Sequence, residues 1–466
     1  MKRFMLAAAL ILCVGLSFAQ SVLGDWHGVL DIYGMKLRIV FHIAEHADSL
    51  AATFDSPDQG AFGIPVNRVS YANSELKLET DAPPIVYIGT LQGEAIKGTF
   101  YQAGMELPLD LQRQEMDKPV YARPQTPKEP YPYKVEEIEF HNRDAKITLS
   151  ATLTIPKGKG KHPAVIFISG SGPQDRNEEL MGHKPFWVIA DYLSRNGIAV
   201  LRYDDRGVGK SQGNFDTATS EDFASDVKSA VKYLNKRKDI SGIGLIGHSE
   251  GGLIAPMVAA QMPKLKFIVL LAGPGLRGDK LLLLQEEMIW RVDETDNAKI
   301  EKSLSINRNV FQMIIDEQKP EALGTRIDEY IDKGINSGDI DIPEGFSHED
   351  VKKQFTDQML NPWMLYFIRH DPAPILEKVR CPVLALNGSK DLQVPARENL
   401  DAIGAALKRG GNKKYELVEI AGLNHLFQEA ETGHPNEYAQ IEQTFSPNAL
   451  EIMRKWINTQ THKKAN

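Results

Sequence analysis

Three residues of this chain have the types and the spacing to make an activated nucleophile. Ser249 is the centre of Gly247-His248-Ser249-Glu250-Gly251, a G-x-S-x-G that follows a short apolar run and opens a helical pattern. In that setting the serine sits on a strained strand-to-helix turn, and the glycines remove side chains that would collide there. A lone hydroxyl is a poor nucleophile near neutral pH; it needs a base within hydrogen-bond reach and an anion to orient that base. Asp391, in Asn387-Gly388-Ser389-Lys390-Asp391, and His425, in Ala421-Gly422-Leu423-Asn424-His425, each come just after a predicted strand. The order Ser, Asp, His is the one such a turn carries. The plainer alternatives are a turn aspartate and a core or capping histidine. His434 follows no strand and is the runner-up base, and His348 and His370 fall in an insertion described below.

A tetrahedral intermediate needs backbone donors. One is expected from the N–H of Glu250, the residue after the nucleophile, and the other from the loop Ser169-Gly170-Ser171-Gly172-Pro173. Ser171 is the preferred donor there, with Gly172 next; the alternative is an ordinary flexible turn. The glycine-rich stretch from Tyr203 to Ser211 does not have the lysine spacing of a phosphate loop, and Asp205 and Arg206 read as structural ion-pair partners. H-E-x-x-H, an EF-hand loop and clustered cysteines are all missing from the sequence, so neither a metal nor a cofactor is expected.

The elements that must position these residues form an α/β pattern. Residues 164–168, 198–203, 243–246, 267–271, 383–386 and 415–420 read as strands, and residues 147–155 as an antiparallel strand before them. Continuous apolar runs are expected of strands covered on both faces. Helices are predicted over 186–195, stopped by Asn196-Gly197, over 219–238, with Thr219 and Asp222 spaced as a capping box, and from Ser249. Strands alternating with helices give a doubly wound, mostly parallel sheet. Residues 274–378 interrupt it with helical patterns at 281–292, 298–317 and 360–368. Such an insertion is a cap over the carboxyl ends of the strands, where open α/β sheets bind ligands.

Before residue 134 the chain reads differently. Residues 20–118 alternate as strands between close turn signals, with a hairpin turn at Gln92-Gly93-Glu94-Ala95, and fit a small all-β barrel or sandwich. Trp26, Tyr33, Tyr87 and Tyr101 are either core or a ligand-binding face. Residues 119–133 hold five prolines and read as a semi-extended linker between domains. The catalytic domain is then 134–273 with 379–466. Residues 1–19 have a basic start, an apolar stretch too short to span a bilayer and a small-residue cleavage site, the pattern of a secretory signal peptide. The mature protein is therefore expected in the periplasm or the medium, without a membrane span. Cleavage leaves Cys381 as its one cysteine, read as a core thiol.

With 466 residues the chain has room for two or three domains at roughly 150 residues each. Its 42% hydrophobic content excludes wholesale disorder, and a net charge of −8 without a basic block gives nucleic-acid binding no electrostatic support.

Residues 134–466 resemble the α/β-hydrolase superfamily, and within it bacterial serine carboxylesterases with an inserted cap, close to the EstD-type esterases. The resemblance lies in Ser169-Gly170-Ser171-Gly172-Pro173-Gln174-Asp175-Arg176, Tyr203 to Ser211, Gly247 to Gly252, Pro382 to Pro395, and Gly422 to His425. Ser169 stands where many relatives have a histidine. The all-β domain is similar to N-terminal extensions of some secreted members. The resemblance implies an esterase acting through an acyl-enzyme on a small-molecule ester, with the apolar cap residues 281–284, Met288, Trp290, Trp363, Met364, Tyr366 and Phe367 either lining an acyl pocket or packing the cap. A serine aminopeptidase, with Glu286 and Glu287 receiving an amine, or a thioesterase would use the same triad. From a different class, the chain could be an envelope- or glycan-binding protein with an inactive hydrolase domain.

Overall fold

The computed structural model describes residues 21–461 apart from 33–34, 47–48, 60, 82–83, 103–104, 118–121, 294 and 343–345. The leader, Tyr33 and the start of the proline-rich segment lie outside the described residues. The chain divides into two compact units, one within the first 118 residues and one holding 119–466.

The first unit is an antiparallel sheet. Its strands are β1 (Gly24–Ile32), β2 (Met35–His46), β3 (Ser49–Ser56), β4 (Ala61–Val66), β5 (Arg68–Ala72), β6 (Glu75–Asp81), β7 (Pro84–Gln92), β8 (Ala95–Gln102), β9 (Met105–Pro108) and β10 (Leu111–Gln112). They run in the order β4-β3-β2-β1-β10-β8-β7-β6-β5, with β9 pairing β8, and the sheet curls until it is nearly closed. Gly93, at φ 64°, makes the tight turn between β7 and β8 that the sequence announces. Trp26, Tyr87 and Tyr101 are buried, and Phe41 packs at a tilt between Phe54 and Tyr87 with ring centroids 5.3 and 5.4 Å away. These aromatics fill the core, which removes the ligand-face reading for all three. Inward alternation on a curled sheet puts large rings on its concave side.

The second unit carries β11 (Tyr133–Asn142), β12 (Ile147–Pro156), β13 (His162–Ile168), β14 (Ala199–Tyr203), β15 (Ile240–His248), β16 (Ile268–Leu271), β17 (Val383–Gly388) and β18 (Tyr415–Ile420). Their order is β11-β12-β14-β13-β15-β16-β17-β18. The first three pair antiparallel and all later neighbours are parallel. One face is covered by α1 (Pro185–Arg195) and α11 (Pro447–Thr461), the other by α2 (Ser220–Leu234), α3 (Glu250–Gln261) and α10 (Ala396–Arg409). Burial on both faces is why Ala164–Ile168 of β13, all of β16 and Val383–Leu386 of β17 are unbroken apolar runs. The Thr219–Asp222 capping box starts α2. That helix stops at Leu234 rather than at 238, because residues 235–239 turn the chain into β15 and an Arg237–Asp239 ion pair at 2.7 Å holds the turn.

Between β16 and β17 lie α4 (Gly278–Val292), α5 (Asn297–Asp316), α6 (Pro320–Ser337), α7 (His348–Met359), α8 (Pro362–Arg369) and α9 (Ala373–Leu376). Val310, Phe311, Ile314, Leu323, Ile327, Ile331, Met359 and Ile368 give this insertion a core of its own. Of the proline-rich segment, residues 122–132 hold no regular element and are fastened to the α/β unit instead of hanging free. Arg123 donates to Met181 O and Ala439 O, both at 2.7 Å, and Gln125 Nε2 donates to Phe445 O at 2.8 Å. Among the described residues no helix is long and apolar enough to cross a membrane.

Candidate active site

Ser249 directly follows β15, at φ 51° and ψ −119°. A non-glycine residue in that region is strained, and the turn around it shows what holds it. Ser249 N donates to Leu271 O and Gly252 N to Ser249 O, each at 2.8 Å. A Cβ at Gly247 would overlap Gly251 O, and one at Gly251 would overlap Ile168 O. A Cβ at Gly252 would come within 2.6 Å of Gly273 Cα. The glycines are therefore required by close backbone approach.

Asp391 lies three residues beyond β17 and His425 five beyond β18, both deeply buried. His425 Nδ1 meets Asp391 Oδ2 at 2.9 Å. Asp391 Oδ1 accepts Gln393 N at 2.9 Å and Val394 N at 2.8 Å, and Asn387 Nδ2 donates to Oδ2 at 3.3 Å. With a carboxylate at Nδ1, the imidazole carries its proton there and leaves Nε2 as the basic nitrogen. Ser249 and His425 line one cavity of about 100 Å³, together with Ser171, His183 and His248. The strand ends thus bring Ser249, Asp391 and His425 to one place.

The α/β unit has the α/β-hydrolase fold. Comparisons with known proteins match the stretch around the serine turn. A family model described as serine aminopeptidase, S33, matches residues 186–319, a stretch that contains Ser249 but ends before Asp391 and His425. Esterase EstD of Thermotoga maritima is 28% identical over 310 residues, covering 66% of this chain and 65% of that protein. The matched stretch therefore spans just under two thirds of EstD. The human mitochondrial palmitoyl-protein thioesterase ABHD10 is 31% identical over 246 residues, 52% of this chain and 61% of its own. Among solved structures, Est1E of Butyrivibrio proteoclasticus with ferulic acid bound aligns at a TM-score of 0.42 and 18% identity, over 70% of this chain and all of that one.

The loop after β13 carries Ser171 into the cavity. Gly170 N is already committed to Glu178 Oε1 at 2.7 Å, so the preceding N–H is unavailable to an oxyanion and the choice stays with Ser171 and Gly172. Glu250 opens α3, where its N–H has no partner within the helix. Its side chain does something the sequence reading missed. The carboxylate is buried and accepts Ser220 Oγ at 2.5 Å and Trp363 Nε1 of α8 at 2.9 Å. Burial raises its pKa, against the lowering effect of those two donors. The residue after Ser249 thus fastens the start of α3 to α8 of the insertion.

The other histidines separate cleanly. His434 accepts Asn436 N at 3.1 Å and pairs with Asp293 at 3.2 Å, away from the cavity. His348 pairs with Asp332 at 2.7 Å on the insertion. His183 does line the cavity, but burial pushes its pKa down to about 4, and its ring nitrogens meet Tyr438 O at 2.9 Å and Thr444 Oγ1 at 3.0 Å. His248 is also there, in contact with Glu178, and neither was singled out from the sequence.

One expectation is corrected. Arg206 does not pair with Asp205: it reaches Asp226 and Asp222, each at 2.8 Å, while Asp205 accepts Ser169 Oγ at 2.8 Å. Adjacent residues point apart, so a charge pair next to each other in sequence is seldom a pair in space. Glu286 is occupied by Ser303 and Asn307, and Glu287 by Arg291 at 2.7 Å, so neither faces the site. Of the apolar cap residues, Leu281 and Phe367 pack into the sheet core. Trp363 and Met364 instead line a second cavity of about 610 Å³ with Phe215, and Ser171 borders both cavities.

Proposed function

We propose that this hydrolase cleaves carboxylic esters through a Ser249 acyl-enzyme. The observation that carries the reading is Ser249 on a strained turn at the edge of the cavity into which the Asp391-bound His425 also opens. Ser249 Oγ adds to the acyl carbonyl while His425 Nε2 takes its proton. The oxyanion is held by the N–H groups of Glu250 and Ser171, a donor of this kind being typically worth ~3 kcal/mol. His425 returns the proton to the alkoxide as the C–O bond breaks and alcohol leaves. Water, deprotonated by the same imidazole, then adds to the acyl-enzyme, and Ser249 is released with the carboxylic acid.

Short to medium acyl esters suit the confined cavity at Ser249, with the larger apolar one at Trp363 and Met364 taking the rest of the substrate. The relatives named for an esterase and a thioesterase support ester-type leaving groups. With Glu286 and Glu287 occupied elsewhere, the aminopeptidase reading loses the acidic groups that motivated it. The leader-like first residues point to action outside the cytoplasm.

The test is a fluorophosphonate probe on purified protein, with the adduct mapped by mass spectrometry, alongside aryl esters, thioesters and aminoacyl amides. Labelling at Ser249 with ester turnover, and a loss on the order of a million-fold in Ser249→Ala, is the expected result. Full activity in Ser249→Ala would refute the assignment. Turnover confined to thioesters or amides would keep the nucleophile and replace the substrate class. No labelling of folded protein would favour a binding role.

A further inference from the structure

Next to the Asp391–His425 pair lies a second acid–histidine pair that the chemistry above does not use. Glu178 and His248 are both buried, and His248 Nδ1 meets Glu178 Oε1 at 2.9 Å. His248 Nε2 meets His425 O at 3.0 Å. A carboxylate oxygen and a carbonyl oxygen can only accept, so both ring nitrogens of His248 are placed to donate, an arrangement that favours the imidazolium. The same Glu178 oxygen accepts Gly170 N at 2.7 Å. The arrangement ties together the loop after β13, the residue preceding the nucleophile, and the loop that carries the base.

We propose that Glu178 and His248 are a positioning pair that holds the Gly170–Ser171 peptide and His425 in register with Ser249. The inference rests on Ser249 being the nucleophile and His425 its base. The loop that delivers Glu178 is built for that purpose. Glu178 is held at φ 52°, with its N–H on Asp175 O at 2.9 Å. Asp175 Oδ1 in turn accepts Asn177 N at 2.9 Å and Glu179 N at 3.0 Å. Gly170 lies so close to the nucleophile that a Cβ there would be 3.2 Å from Ser249 Cβ. A displacement of Glu178 is therefore passed directly to the oxyanion side of the site, and a displacement of His248 to the base.

The pair also sets the charge beside the base. The rings of His248 and His425 have centroids 4.9 Å apart. Burial alone would lower the pKa of His248, but the Glu178 carboxylate, the His425 carbonyl and the more distant Asp391 together raise it. Asp205, held by Ser169 and Gln174, feels the fields of both Glu250 and Glu178. A positive charge at that distance makes a second one on the neighbouring ring less favourable.

The experiment compares full-length wild type, His248→Gln and Glu178→Gln by melting temperature, kcat, KM and the pH profile of kcat/KM on an aryl ester. Both variants are expected to lose about 10- to 100-fold in kcat with little change in KM, the scale of a small misplacement of catalytic groups. His248→Gln removes the cation and leaves the carboxylate, so its acid limb should move to higher pH by roughly one pH unit. Glu178→Gln makes the pair neutral, so its limb should stay near that of wild type while kcat falls. Wild-type kcat in either variant would overturn the proposal. So would a kcat loss with both acid limbs unmoved, which is what a purely structural role predicts. If Glu178→Gln alone folds, its kcat with fluorophosphonate labelling decides. Labelling of wild type at Ser249 alongside unaffected variants would remove this inference and leave the hydrolase reading intact.

Discussion

Replacing Asp391 by Asn tests the site at its most constrained point. Asp391 Oδ1 is fixed by two backbone donors, Gln393 N at 2.9 Å and Val394 N at 2.8 Å. An Asn must keep its carbonyl oxygen there, because turning the amide would aim an NH₂ at two N–H groups. Its Nδ2 then faces His425 Nδ1, where the carboxylate accepted at 2.9 Å, and also Asn387 Nδ2, which donated to that oxygen at 3.3 Å. His425 can answer only by making Nδ1 an acceptor, which moves its proton to Nε2. The base then has no lone pair for the Ser249 proton. A wrong tautomer in a serine triad costs about 10⁴ in kcat, or roughly 5 kcal/mol at 1.36 kcal/mol per tenfold. Asp391→Ala lacks the orienting group but leaves the imidazole free to choose its tautomer. Steady-state rates on an aryl ester between about pH 6 and 10, with melting curves for both variants, give the answer. Asn, the closer isostere, should be no better than Ala. A folded Asp391→Asn retaining a tenth or more of wild-type kcat, by about any substrate, would refute the tautomer argument.

Three further outcomes follow from packing and charge. Gly251→Ala should destabilise the hydrolase unit by about 3 kcal/mol in urea unfolding, since the new Cβ would run into Ile168 O; an unchanged midpoint would mean the turn is looser than it looks. Arg206→Met strands Asp226, whose remaining partner is Asn142 Nδ2 at 2.7 Å, and should cost about 3–5 kcal/mol, most of it recovered by adding Asp226→Asn; equal losses in single and double variants would count against a buried charge as the cause. Glu250→Gln keeps the oxygen that Ser220 and Trp363 bind, and burial has raised the pKa of the wild-type carboxyl, so wild type loses the associated stability as pH rises through that folded-state pKa. The variant should therefore melt at least as high as wild type at neutral pH, by a margin that narrows on acidification; a lower melting temperature at pH above neutral would contradict it.

The sheet was legible because burial on both faces writes itself as uninterrupted apolar residues, as in Ala164-Val165-Ile166-Phe167-Ile168 of β13. The insertion was legible only in part. In α7 just one residue, Met359, is buried, so there is no apolar stripe to read. In α6 the stripe exists, Leu323, Ile327 and Ile331 at intervals of four, but Gly324 and Gly334 within the helix weaken the local signal. The edge strand β11 carries Glu136, Glu137 and Glu139 on a sequence that alternates only roughly, as an edge with one open side permits.

The site divides along the same line. Ser249, Asp391 and His425 could be found because each follows a strand and the three have a fixed order. Nothing local announces that Glu178 will meet His248 seventy residues later, or that the Glu250 carboxylate will be covered by Trp363 from the cap. An acid in the first turn of a helix reads as a solvated residue favourable to the helix dipole. The physical reason lies in what burial demands. Glu178, Asp205, Glu250 and Asp391 are all withdrawn from water, and each is tolerable only because donors reach it from another segment: Gly170 and His248, Ser169 and Gln174, Ser220 and Trp363, His425. Those donors are set by the packing of loops, which no one-dimensional pattern encodes. Once they are in place, the dipoles and charges around Ser249 are already oriented before any substrate arrives, and preorganisation of that kind is the largest part of what such a site contributes to the rate.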